Sequence, residues 1–300
     1  MTAAATNARA RALIELHLAV GLFGFAALFG KWIALAPIEI VLGRTVIAAA
    51  TLFAVLRWRS RRVRPPDLGL AFNGALLAFH WVAFFTAVQV ASVAVALIGY
   101  STFPAFAMLL DRRARSGRER RDEWIAILLV VAGLVLVVPR FDFSDRAVHG
   151  LVWGVVSGLS FAWLVLRNQR KLATRGAIEL ALWQNSFAAV VLVLVPVVTP
   201  MYLKVASLRD LALMVVLGAI CTAVAHTLFI ACLTRLTVHT ASVVSALEPV
   251  YGIALAVVLL GEIPGARTLL GAALVVAAAI VASRQEPDSG SASLAHEREA

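Results

Sequence analysis

Residues 210–260 read DLALMVVLGAICTAVAHTLFIACLTRLTVHTASVVSALEPVYGIALAVVLL, and this stretch decides the fold class. It holds two long apolar runs, 210–234 and 240–260, parted by a short gap beside Arg235. A helix needs about 20 mostly apolar residues to cross the hydrocarbon layer of a bilayer, and each run meets that length. The second carries a single charge, Glu248, directly before Pro249. Two membrane helices are predicted here, the second interrupted where proline withdraws its backbone N–H.

The same pattern extends outward through the 300 residues. Further apolar runs occupy 13–35, 38–57, 68–89, 91–110, 122–139, 150–167, 178–198 and 264–283. The run 122–139 is the weakest, with an uncharged stretch only from Trp124 to Val138, and 264–283 has Arg267 near its start. Apolar types make up 61% of the chain and charged types 15%, against roughly 45–50% and about 25% in soluble domains. With a mean hydropathy of +0.90, too few polar residues remain to build a water-soluble shell. Collagen, coiled coil, disorder and a disulfide scaffold are excluded on composition. Cys221 and Cys232 fall in one helical run, roughly 16 Å apart along the axis, too far to bond to each other.

The net charge of +10 gains meaning from its positions. Arg57, Arg59, Arg61, Arg62 and Arg64 form one basic cluster. Arg112, Arg113, Arg115, Arg118, Arg120 and Arg121 form a second, and Arg167, Arg170, Lys171 and Arg175 a third. Each sits between apolar runs, as cytoplasmic loops do under the positive-inside rule; no nucleic-acid partner is expected. Ten crossings with both ends inside put 20 Lys/Arg on the cytoplasmic side and five outside. Omitting the fifth crossing would expose the third cluster outside and weaken that asymmetry. The amino-terminal run is too long for a cleaved signal peptide and ends in Lys31-Trp32. The polar stretch 285–300 is expected to be a disordered cytoplasmic tail.

Sliding the chain by 145 residues pairs Ala87–Pro104 with Cys232–Pro249, bringing Val93 onto Val238, Ala96 onto Ala241 and Pro104 onto Pro249. Each half then has a helix with a central histidine (His80, His226), a short turn, and a proline-interrupted helix. Five crossings per half turn the second copy upside down. The expected fold class is therefore an all-α integral membrane protein, ten transmembrane helices as two inverted five-helix repeats, 13–140 and 149–284. Inverted repeats with broken helices are an architecture of secondary transporters, with a site at mid-membrane and alternating access. No nucleotide-binding loop of the G-x-x-x-x-G-K-[ST] type is present.

The residues also carry a family resemblance. Ala246-Leu247-Glu248-Pro249, followed by a helix ending Leu260-Gly261-Glu262, resembles the hallmark of EamA-type drug/metabolite transporters. His149-Gly150-Leu151-Val152-Trp153-Gly154, continuing to Ser160-Phe161-Ala162, is similar to that family's repeat start. Arg44 stands where the family usually has Arg-Phe, here followed by Thr45, and Lys31 where a basic residue often closes the first helix. The first half has Phe103-Pro104 and no Leu-Gly-Glu. The resemblance spans nearly the whole chain and implies ten helices in the cell membrane and export of a small amphipathic metabolite, amino-acid-like or drug-like.

An ionised side chain at mid-bilayer costs about 2.5–3.5 kcal/mol or more, so it usually faces protein or a wet cavity. Glu248 could bind a cationic group or carry a proton, or it could satisfy backbone freed by Pro249. Arg44 could attract an anion or tie a helix end to a carbonyl. Lys31 is expected to snorkel, and Glu15, Glu39 and Glu179 to be solvated boundary charges. Asn73, His80 and Phe84, like Thr222, His226 and Phe229, follow helical spacing and form polar-aromatic stripes. Trp81, Tyr100, Trp163, Tyr251, Gln184 and Asn185 are further candidates for cavity walls, each with packing as its plain alternative. No metal site or cofactor is expected from two histidines. Gly150, Gly154 and Gly158, with Gly21 and Gly24, would let helices approach closely and slide, while Pro104 and Pro249 would act as hinges. The partners implied are a small-molecule substrate and the lipid bilayer, with coupling to protons open. The competing reading is a membrane enzyme acting on a lipid-linked substrate, for which His149, Asp142 and Asp145 are the only outer-face candidates; a non-enzymatic carrier accounts for more of the pattern.

Overall fold

A computed structural model describes residues 3–110, 117–137, 145–198 and 204–283. Among them all regular structure is helical. The order is α1 Ala3–Trp32, α2 Pro37–Trp58, α3 Leu68–Val90, α4 Val93–Tyr100, α5 Phe103–Leu110, α6 Gly117–Val137 and α7 Arg146–Leu172. There follow α8 Ala177–Val198, α9 Leu208–Gly218, a π-helical turn Ala219–Val224, α10 Ala225–Cys232, α11 Val238–Ser245, α12 Glu248–Leu260 and α13 Ala266–Ser283. The tail 285–300 and the Arg112, Arg113 and Arg115 portion of the second basic cluster lie outside the described residues.

Among the described residues, eight segments are long and apolar enough to cross a bilayer. Large side chains such as Phe53, Leu128, Val258 and Leu270 stand exposed along the helices, a surface that suits lipid and not water. The fifth and tenth expected crossings appear as two shorter apolar helices, Trp124–Val137 and Ala266–Ala278. The first spans roughly 21 Å at 1.5 Å per residue, because α6 spends its first turns on Arg118 to Glu123. The two short helices pack on each other: a Cβ on Gly133 would come 2.8 Å from the Gly271 carbonyl oxygen, and the reverse approach is 2.7 Å.

The proline-interrupted runs are broken helices. The first separates α4 from α5 just before Pro104, and the second separates α11 from α12 just before Pro249. A proline cannot donate to the carbonyl four residues back, which here belongs to Tyr100 and Ser245. The chain tightens instead: Thr102 N–H donates to Gly99 (3.3 Å), and Ala246 and Leu247 N–H donate to Val243 and Val244 (3.1 and 3.0 Å). A shift of 145 residues carries the start of α4 onto the start of α11, its end onto the end of α11, and the start of α5 onto the start of α12. The same bounds do not align the histidines: His80 is near the middle of its span and His226 in the last third of Leu208–Cys232.

Packing is reciprocal. Helix α1 lies on α12 and α10, α7 lies on α3, α4 and α5, α2 on α8 and α9, and α6 on α13. The first and third basic clusters meet at one face. Asp67 caps α3 and receives Lys171 Nζ at 2.9 Å on both oxygens, and Arg175 donates to the Pro65 carbonyl at 2.7 Å. That hydrogen bond from Lys171 holds the Asp67 carboxyl below its ordinary value. Glu179 is buried and pairs with Arg175 at 2.8 Å, and Glu39 is buried and accepts backbone N–H groups. Neither is the solvated boundary charge expected from its position near a helix end, because each meets a connector folded over that end.

Candidate functional site

Where the broken helices cross the middle of the bundle, a chamber opens between α1, α2, α3, α4, α7, α10 and α12. About 420 Å³ of atom-free space, part of it open to the outside, lies along its walls, and little of it is wide enough for more than a water molecule. Four of the expected residues supply its ionisable lining: Arg44, His80, His226 and Glu248. All are at most 4% exposed.

Arg44 is held in place from two sides. Its Nε donates to Thr222 Oγ1 at 2.9 Å, and its guanidinium lies over the Trp81 ring at 4.0 Å from the centroid. Thr222 sits in the π-helical turn and donates its own proton to the Leu217 carbonyl at 2.7 Å, five residues back. The widened turn thus frees a hydroxyl lone pair to face α2. π-turns inside helices recur at functional positions for this kind of re-aiming.

Glu248 is the first residue of α12, immediately after the break. Tyr100, on the opposite broken helix, lines the same chamber. Glu248 Oε2 has no partner among the described residues. The register that pairs the two breaks puts Phe103 opposite Glu248 in the repeat: one break presents an aromatic ring, the other an acid.

The two histidines differ in kind. His80 Nδ1 lies 2.9 Å from Ser157 Oγ and 3.0 Å from the Ser157 carbonyl, and the ring stacks on Phe161 at 4.8 Å. Its Nδ1 is thus partnered, and the residue forms part of the chamber wall. His226 stands edge-on to Trp81 at 5.7 Å, with both ring nitrogens unpartnered among the described residues. Buried polar atoms normally find partners, so His226 and Glu248 together leave polar capacity facing the chamber.

Five expected wall residues lie elsewhere. Asn73 accepts Arg167 Nε at 2.6 Å and donates to Asn168 Oδ1 at 3.2 Å, an oxygen that Gln184 Nε2 also reaches. Asn185 donates to the Ala181 carbonyl. These polar groups knit α3, α7 and α8 together between the chamber and the basic face. Trp163 is 47% exposed and packs edge-on to Phe72, on the lipid side of α7. Tyr251 places its hydroxyl 3.1 Å from His17 Nδ1. Phe23, Phe84 and Phe161 line the chamber in their stead. Only Phe84 carried a sequence signal, one helical turn from His80.

The glycines mark where backbones touch. A Cβ on Gly24 would come 2.8 Å from Gly252 N, and one on Gly154 would come 3.0 Å from Gly99 Cα. Gly150 lies against Ala91 and Gly158 against the Tyr100 carbonyl. Gly21 has nothing within 4 Å of a built Cβ and makes no such contact. Among the described residues no three His, Cys, Asp or Glu gather in a metal-holding group.

A multi-pass helical bundle with broken helices around a buried ionisable chamber defines a membrane-transport architecture, and the comparisons agree. The EamA-like transporter family pattern matches residues 11–138 and again residues 148–284. The chain belongs to that family. It is 27% identical over 254 residues to Protein RarD of Salmonella typhi, covering 82% of this chain and 85% of that protein. It is 26% identical to the pseudopaline exporter CntI of Pseudomonas aeruginosa (strain UCBPP-PA14), covering 82% and 86%, and 27% identical to the uncharacterized transporter YwfM of Bacillus subtilis, covering 83% and 84%. A solved crystal structure shares the fold at TM-score 0.70 and 18% identity, covering 91% of this chain and 97% of its own.

Proposed function

We propose that this transporter is a secondary carrier that exports a small amphipathic metabolite by alternating access through the chamber of Arg44, His226 and Glu248. The carrying observation is the set of unpartnered polar atoms on Glu248 and His226, buried at a chamber between two family-matched segments. Arg44 and Glu248 offer opposite charges to an ionic group, and Trp81, Phe84, Tyr100 and Phe161 offer rings to an apolar one. The named exporter among its relatives supports the outward direction.

The proposed topology is ten crossings as two inverted five-helix repeats, 13–140 and 149–284, in the cell membrane with both ends cytoplasmic. The 145-residue register of the broken helices, the reciprocal packing and the basic connectors gathered on one face support it. The glycine contacts Gly24–Gly252, Gly99–Gly154 and Gly133–Gly271 each join one matched segment to the other. They have little side-chain interlock to resist rocking, and the chamber needs such motion, since it is too narrow to admit a metabolite as it stands. Glu248 and His226 are the groups through which proton coupling would run. Comparing metabolites in cells with and without the protein, then measuring liposome flux of the leading compound under an imposed pH gradient, tests both points. A compound retained by cells lacking the protein and carried by the liposomes supports export; flux indifferent to the gradient removes the proton.

A further inference from the structure

The Leu260-Gly261-Glu262 motif lies outside the chamber, yet its carboxylate has a definite job. Gly261 ends α12 in a left-handed turn (φ 67°), a conformation glycine adopts without strain. The turn delivers Glu262 to the first residue of α4, where Oε2 accepts the Val93 N–H at 3.1 Å. Lys31 completes the junction, 3.9 Å from Glu262 Oε1 and donating to the Ala91 carbonyl at 3.0 Å. Cations thus meet the carbonyl end of α3 and an anion meets the N–H end of α4, the arrangement helix dipoles favour.

Two other carboxylates on this face act alike. Glu39 accepts the Lys204 N–H, and Asp210 accepts the Ala34 N–H at 3.1 Å. In all three the carboxylate belongs to one matched segment and the backbone N–H to the other. The opposite, basic face is tied as well: Asp67–Lys171 and Glu15–Arg235 bridges join side chains that are 20–42% exposed, while Arg175 donates to the Pro65 carbonyl and Trp183 to the Arg64 carbonyl across the two matched segments.

We propose that Glu39, Asp210 and Glu262 form the closure of the transport pathway on the face remote from the basic connectors. The inference rests on the alternating-access reading: passage through the remote face requires these carboxylate–backbone bonds to part. Glu262 is the positioning residue to test, because Glu39 and Asp210 also cap their own helices.

The test places a thiol in the chamber wall as Ala26→Cys, since Cys221 and Cys232 are buried. A membrane-impermeant maleimide is applied to right-side-out and inside-out vesicles. Ala26→Cys with Glu262 intact sets the reference labelling rate from each face. Adding Glu262→Ala should raise labelling from the remote face about tenfold, the scale of one charge-assisted hydrogen bond. Glu262→Gln keeps an acceptor oxygen and should give a smaller rise; it carries the test if the alanine variant fails to fold. Unchanged remote-face labelling in the folded variants overturns the closure. No labelling from either face in any variant overturns the carrier reading itself.

Discussion

Glu248 and His226 are set apart from Arg44 and His80, the other charged or imidazole groups of the chamber, by one property: buried side-chain atoms without partners among the described residues. The sequence marks both as intramembrane polar groups but cannot tell them from His80, whose Ser157 partners come from a helix 77 positions away. The same limit applies to the tryptophans. Trp81 lies against Arg44 in the chamber, whereas Trp163 stands exposed beside Phe72; the sequence of neither run names the helix that packs against its tryptophan. We therefore expect Trp81→Leu to cut transport about tenfold and Trp163→Leu to leave it near the parent value, read as flux per unit of protein in the membrane. The glycines make a second contrast. Gly24→Ala drives a Cβ into the backbone of α12 and should lower unfolding stability in detergent by about 1–3 kcal/mol, while Gly21→Ala, with open space around it, should not.

At the scale of elements, proline and charge did most to reveal the architecture. Pro104 and Pro249 announce both broken helices, and the shift of 145 residues that aligns the prolines also aligns the helix ends. The π-helical turn that aims Thr222 was not legible, because nothing in a run of small apolar residues signals one extra residue per turn. Pro249→Ala restores an N–H for the Ser245 carbonyl, so α11 and α12 can join into one helix and turn Glu248 away. Transport should fall about tenfold while the amount inserted is unchanged, and a retained rate would mean the break is not needed. The connectors give a prediction about acid. Lys171 depresses the Asp67 carboxyl, so the ionised form stabilises the folded state. That contribution is whole above the ordinary value of 3.8 and is lost as pH falls through the depressed folded value. The bridge is exposed, so the effect is small: the melting-temperature difference between parent and Asp67→Asn should be present at pH 7 and close below about pH 4.

Across the whole molecule, the first and third basic clusters share a face, where Asp67, Lys171 and Arg175 bring their connectors into contact. The remote face was less legible. Its ties run from carboxylates to backbone N–H groups, which every residue possesses, so no sequence pattern announces Val93 or Ala34 as partners. What unites the scales is the chamber, where the two matched segments meet with opposite charges and unfilled hydrogen-bonding capacity. The most direct measurement is liposome flux of the compound identified by metabolite comparison, carried by the parent, Arg44→Gln and Glu248→Gln proteins at equal incorporation. A fall of about tenfold or more in each variant, with both still folded in the bilayer, is the predicted result; flux equal to the parent in both would contradict a pathway through this chamber.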